Sequence, residues 1–197
     1  MSFNIKNIID GQIKSSIEIK QKLLNSKEAL NTISILVEKA LNSLELGGKI
    51  IFAGNGGSFA DAQHLSAEFS SRFMFDRSPL ASLALGTNSS AMSAIGNDYG
   101  YERVFSRELE AIGMDIDLFI PITTSGNSVN IIEVVKIAKK KNIETIAFTG
   151  ANNGAINKIC NCICVPSTDT ARIQECHILI GHIFCGAVEK IFFDSKS

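Results

Sequence analysis

Tryptophan is absent from this 197-residue chain, tyrosine occurs twice, and proline and histidine occur three times each. So little proline leaves most of the backbone free to run as regular helix or strand. An excess of either charge is also missing: Lys+Arg number 19 against Asp+Glu 20, a formal net charge of -1. No basic cluster exceeds Lys139-Lys140-Lys141, a triplet suited to the negative end of a helix dipole. This argues against nucleic acid or an anionic membrane as the main partner. No apolar run approaches the roughly 20 residues of a membrane span. The start, MSFNIKNIIDGQIK, lacks the basic opening and unbroken apolar stretch of a signal peptide. These absences predict a cytoplasmic protein without disulfides. Its five cysteines are an odd number. Cys160, Cys162 and Cys164 alternate and so share one face of a strand, where they read as small apolar side chains of a buried strand.

What is present is a pattern of alternating elements. Hydrophobic residues make up 45% and charged residues 20%, as expected of one domain over 1–197 with a substantial core. Residues 1–46 carry apolar positions at helical spacing (Ile13, Ile17, Leu23/Leu24, then Ile33, Val37, Ala40/Leu41, Leu44), which predicts two helices broken near Asn25-Ser26-Lys27. Gly47-Gly48 stops the second. Core strands are then predicted at 50–53, 80–85, 116–122, 144–148 and within 157–165. The helices between them fall at 58–74, 91–95, 101–112, from 129 (Val129, Ile132, Val135 and Ile137/Ala138 inward) and from about 169 to 193. The 91–95 helix is expected to end in Gly96-Asn97-Asp98-Tyr99-Gly100. Short, nearly all-apolar strands alternating with helices imply a five-stranded parallel sheet covered on both faces, a three-layer doubly wound α/β/α fold. In such folds ligands bind beyond the carboxyl ends of the strands, at the switch point.

Two polar turns follow strand ends. Gly54-Asn55-Gly56-Gly57-Ser58 leads from the first strand into a helix, and Thr123-Thr124-Ser125-Gly126-Asn127-Ser128 leads from the third. Glycine lets backbone N–H groups approach an anion, and a helix start supplies unpaired N–H groups and the positive dipole end. Neither turn matches G-x-x-x-x-G-K-[ST] or G-x-G-x-x-G, so a monophosphate is favoured over a nucleotide triphosphate. Four residues separate His64 from Glu68, about 40° round a helix axis and thus one face, as needed to bind a metal or move a proton. The other two histidines, His177 and His182, lie in RIQECHILIGH (172–182) beside Gln174 and Glu175. Seven-residue spacing would pair Glu175 with His182, whereas Gln174 lies about 80° from His182 round the axis; spacing does not choose between them.

AGNGGS (53–58), DAQHLSAEF (61–69), GNDYG (96–100), TTSGNS (123–128) and RIQECHILIGH (172–182) together closely resemble the phosphoheptose isomerases. These are sugar-isomerase (SIS) domain proteins that convert sedoheptulose 7-phosphate to D-glycero-D-manno-heptose 7-phosphate, the first step towards nucleotide-activated heptose for surface polysaccharide such as lipopolysaccharide. The resemblance spans nearly the whole chain. It implies flavodoxin-like strand order, and a homotetramer built in part with the two leading helices (1–46). It implies zinc, one per subunit, held by His64, Glu68, Gln174 and His182, selecting Gln174 over Glu175. Glu68 and His182 are the implied catalytic base and acid. Implied substrate contacts are Asn55, Gly56, Gly57, Ser58, Glu68, Asn97, Asp98, Thr123, Thr124, Ser125, Ser128 and Gln174. Thr123 stands where the family commonly has serine, which keeps the hydroxyl. A related SIS class binds the replication initiator but lacks the Glu/His pair, which is present here. Sugar-phosphate-sensing regulators carry a DNA-binding segment for which no basic helix is visible. Isomerisation of another phosphosugar is the remaining alternative.

Overall fold

The protein is described by a computed structural model covering residues 4–151 and 154–194. Two helices joined by a short turn come first, α1 (Ile5–Leu24) and α2 (Lys27–Glu45). The predicted break between them is real: Ser26 accepts from the Ala29 amide as N-cap of α2, as Asn4 does from Asn7 for α1, each satisfying an orphan donor of a first turn. The alternating units follow as β1 (Ile50–Gly54), α3 (Gly57–Ser70), β2 (Ser82–Ala84), α4 (Ser89–Tyr99), α5 (Val104–Ile112), β3 (Leu118–Ile122), α6 (Val129–Lys140), β4 (Glu144–Gly150), β5 (Asn161–Val165) and α7 (Thr170–Asp194). Short 3-10 turns precede α5 and β5.

All pairings are parallel and the strand order is β2-β1-β3-β4-β5, the doubly wound arrangement expected. Side-chain alternation divides the core between the two faces. Ile50, Phe52, Ile120, Ile146, Phe148 and Ile163 pack with α2, α3 and α7. Ile51, Ala53, Phe119 and Ala147 pack with α5 and α6.

Several expectations are corrected. Helix α4 runs through Gly96 and Asn97 to Tyr99 and stops at Gly100, whose φ is 88°. One interior glycine costs about 1 kcal/mol relative to alanine, too little to break a turn that continues on both sides. Helix α3 ends at Ser70 instead of 74, because the residues beyond it are drawn into a polar cluster described below. β2 is three residues long. Val129 is 62% exposed, so the inward stripe of α6 is Asn130, Ile131, Val134, Val135 and Ala138, starting one residue later than read.

The alternating cysteines are only partly buried, with Cys160 and Cys162 packed against the edge of the second core cluster. Cys160, Cys162 and Cys164 are all half-exposed while Ile163 and Val165 are buried. β5 is an edge strand, and the cysteines line a depression at that edge together with Glu28, Thr32 and Ile35 of α2. Finally, α7 is long and apolar enough to span a membrane by composition, contrary to the sequence reading, yet half of its most apolar window is buried within the protein. It is the core helix of the α2–α3–α7 layer, in contact with α1, α2, α3, β4 and β5.

Candidate functional site

β1 and β3 are neighbours with Gly54 opposite Ile122, so the two polar turns emerge side by side at the carboxyl ends of adjacent strands. A reciprocal amide pair ties them together. Asn55 Nδ2 donates to Asn130 Oδ1 and Asn130 Nδ2 donates to Asn55 Oδ1, both at 2.8 Å, and the Tyr101 hydroxyl donates to Asn55 Oδ1 at 3.2 Å. Asn130 and Tyr101 escaped the sequence reading. Asn130 was findable, since it precedes Val134 and Ala138 by one and two turns on the inward stripe; the misplaced Val129 hid it.

The second turn is braced internally. Thr123 is buried; its Oγ1 accepts from the Gly126 amide at 3.3 Å and lies 3.5 Å from Ser128 Oγ. Ser125 Oγ accepts from the Asn127 amide at 3.1 Å. The Thr123 amide bonds Phe148 O and the Gly150 amide bonds Thr124 O, fixing the turn to β4. In the first turn, a Cβ on Gly57 would lie 2.7 Å from Gln174 Nε2, so Gln174 of α7 rests directly against the start of α3. Ser58 is buried behind it, and Asn55 is half-buried.

Helices α3 and α7 approach closely where Gly181 meets Leu65: a Cβ there would lie 2.5 Å from Leu65 Cδ2. This contact brings three donors together. His64 Nε2 is 3.3 Å from Glu68 Oε1 and 2.9 Å from His182 Nε2, and one ligand atom from each residue falls within 4.8 Å of the other two. The His182 ring stacks on Phe73, centroids 5.5 Å apart and planes at 21°. Asp61, one turn before His64, was also missed; burial pushes its carboxyl above the ordinary value, opposed by the positive charge that His64 and His182 can carry.

Glu175 does not join this cluster. Ser16 Oγ donates to it at 2.6 Å and Arg172 Nη2 at 2.5 Å, while Lys20 adds an ion pair at 3.5 Å. The Ser16 bond leads in lowering its carboxyl below the ordinary value, with Arg172 and Lys20 reinforcing. Seven residues return to one face but climb roughly 10 Å along the axis. That distance places Glu175 beneath α1 and His182 beneath α3. His177 is fully buried, its ring 5.8 Å from that of Phe148. Among the described residues, neither ring nitrogen makes a hydrogen bond of ordinary geometry, and the Thr149 backbone is the polar group that faces the ring. Asn97 and Asp98 are exposed on α4, hydrogen-bonded to each other at 2.8 Å, and line a shallow depression with Ser89, Ser90, Ser93 and Ala94. Among the described residues, no side-chain hydrogen bond joins them to either turn.

Residues 15–150 match the family model of the SIS domain. The phosphoheptose isomerase of Aneurinibacillus thermoaerophilus is 51% identical over 193 residues, covering 98% of each chain. The chain belongs to the SIS-domain phosphoheptose isomerase family. Two solved members of that family show the same architecture over 95% of this chain and all of their own: the enzyme from Francisella tularensis, with a TM-score of 0.90 and 33% identity, and that from Neisseria gonorrhoeae, with 0.86 and 38%.

Within the family frame the donor set is chemically apt for a divalent cation. Two imidazole nitrogens and a carboxylate oxygen are zinc's ordinary nitrogen and oxygen ligands.

Proposed function

We propose that the chain isomerises sedoheptulose 7-phosphate to D-glycero-D-manno-heptose 7-phosphate through an enediol, feeding nucleotide-activated heptose synthesis for surface polysaccharide. The observation that carries the reading is the placement of the Glu68–His64–His182 cluster on α3, which the first anion-suited turn opens, and on α7, whose Gln174 rests against that turn. Phosphate is held by N–H groups and hydroxyls of Gly56, Gly57, Ser58 and of Thr123, Thr124, Ser125 and Ser128. The sugar chain then reaches towards α7, with Asn55, Asn97, Asp98 and Gln174 as further contacts. Glu68 removes the proton from the carbon beside the carbonyl and returns it to the neighbouring carbon, and His182 carries the oxygen-bound proton.

Zinc, one per subunit, would be held by His64, Glu68 and His182, with Gln174 as the fourth donor implied by family resemblance, and would supply Lewis-acid polarisation of the carbonyl. A carboxylate has two oxygens, so ligation through one leaves the other for proton transfer.

Assembly is part of this reading. Helix α1 exposes Ile5, Ile8, Ile9, Ile13 and Ile17, each 53% or more, a contiguous apolar stripe of the kind that a second copy covers. We place helices α1 and α2 at subunit contacts of a homotetramer and the reaction in the cytoplasm. Incubation with sedoheptulose 7-phosphate, with and without chelator, tests the activity by appearance of the aldose. Chelator-sensitive conversion is expected; no conversion under either condition would overturn the reading.

A further inference from the structure

Just past α3 lies a buried ion pair that the chemistry above does not use. The Arg77 and Glu189 side chains are 3% and 1% exposed, with Nε donating to Oε1 at 2.9 Å. The rest of the guanidinium is spent on carbonyls. Nη2 donates to Glu68 O at 2.7 Å, and Nη1 donates to Phe69 O at 2.7 Å, Ser71 O at 3.0 Å and Ser78 O at 3.2 Å. The Glu189 carboxylate in turn accepts the Phe73 and Met74 amides at 2.9 and 2.7 Å. Burial alone would raise its carboxyl pKa, but those two amides and Arg77 hold it below the ordinary value.

We propose that Arg77 and Glu189 form a positioning latch for the reaction, fixing Glu68 and His182 relative to each other from outside the site. One arm ends on the backbone carbonyl of Glu68 and terminates α3 at the turn that bears that carboxylate. The other arm, through Glu189, fixes the backbone of Phe73, whose ring lies against His182. Glu68 and His182 come from different helices, so their mutual geometry is not set by either helix alone. The latch spans both: Glu189 is itself on α7, one helical segment beyond His182, and Arg77 follows α3. The planar five-donor guanidinium is the side chain that can meet a carboxylate and several carbonyls at once; a lysine ammonium cannot. An ion pair this buried is weak evidence of stabilisation as such, which makes a geometric duty the better account of why so many directed bonds converge there.

This inference rests on the proposed isomerase chemistry, and its test keeps the two apart. Arg77→Lys keeps the charge opposite Glu189 and loses the carbonyl clamp. Phe73→Leu keeps the clamp and removes the ring against His182. Ile33→Ala, a core truncation in α2, matches them for lost stability. The readouts are kcat and KM separately, the melting temperature, and the imidazole resonances of His182, tractable because the chain has three histidines. A misplacement near 1 Å costs on the order of 100-fold in turnover. Arg77→Lys is expected to lose about that much kcat, with KM changed little and the His182 resonance displaced. Phe73→Leu should displace the same resonance, and Ile33→Ala should change neither kcat nor the resonance. Unmoved His182 signals in Arg77→Lys, or a kcat loss no larger than in Ile33→Ala at equal melting temperature, would overturn the latch. Wild-type turnover in the same series bears on the isomerase reading alone.

Discussion

His177 makes a quantitative test of the core possible. It is fully buried against Phe148, and burial, opposed in part by the Thr149 backbone, pulls its imidazole from 6.5 down to about 4. The ring is therefore neutral in the folded chain across the neutral range, while the unfolded chain protonates it below about 6.5. Between those values the unfolded state binds more protons, so stability falls as pH falls. The contribution is complete above the unfolded value, is lost progressively down to about pH 4, and is flat below. A difference of about 2.5 units at 1.36 kcal/mol each corresponds to about 3 kcal/mol. Replacing the ring by leucine removes two buried polar atoms that make no hydrogen bond of ordinary geometry, a change that is close to neutral or stabilising at pH 7.5. The assay is denaturant unfolding of wild type and His177→Leu at equal protein concentration from pH 7.5 to 4.5. The wild type should lose about 2 to 3 kcal/mol more than the variant over that span, since other titrating groups are common to both. Parallel curves would refute the reasoning, because they would mean that the ring takes up a proton without unfolding.

The turns give two further tests. Gly57→Ala would place a methyl 2.7 Å from Gln174 Nε2. The far end of that side chain can yield, so the melting temperature should shift by only a few degrees while kcat/KM falls about 10-fold or more; unchanged kinetics would separate Gln174 from the site. Asn130→Ala removes both amide bonds to the half-buried Asn55, whose Oδ1 keeps the Tyr101 hydroxyl, at a cost of about 1 kcal/mol. It should raise KM for the phosphosugar more than it lowers kcat, and steady-state kinetics with an unchanged KM would show that the amide pair does not set the turn.

Much of this was legible in the sequence because the relevant rules are local. Apolar runs broken by glycine turns located every strand, and Ser26 and Gly47 bounded the second helix through capping and left-handed backbone. His64 and Glu68 were readable because i, i+4 spacing on one helix is itself a geometry. Glu175 and Gln174 were not separable by spacing, since the answer depends on which helix crosses which end of α7. That is set by Gly181 against Leu65 at one end and by Ser16, Lys20 and Arg172 round Glu175 at the other. The cysteines of β5 misled for a related reason: alternation says which residues share a face, and only the strand order, with β5 at an edge, says whether that face is covered. Gly96 misled because a single glycine is compatible with a helix interior. Arg77 and Glu189 lie 112 residues apart in the chain, and nothing short-range links them.

Deuterium incorporation tests the central claim most directly. Sedoheptulose 7-phosphate is incubated in D2O with wild type and with Glu68→Gln, and the carbon-bound hydrogens at positions 1 and 2 are followed by NMR over many turnovers. Proton removal by Glu68 through an enediol predicts solvent deuterium at those carbons in step with aldose formation, and neither exchange nor product with Glu68→Gln. Undiminished exchange or undiminished aldose formation in Glu68→Gln would contradict it.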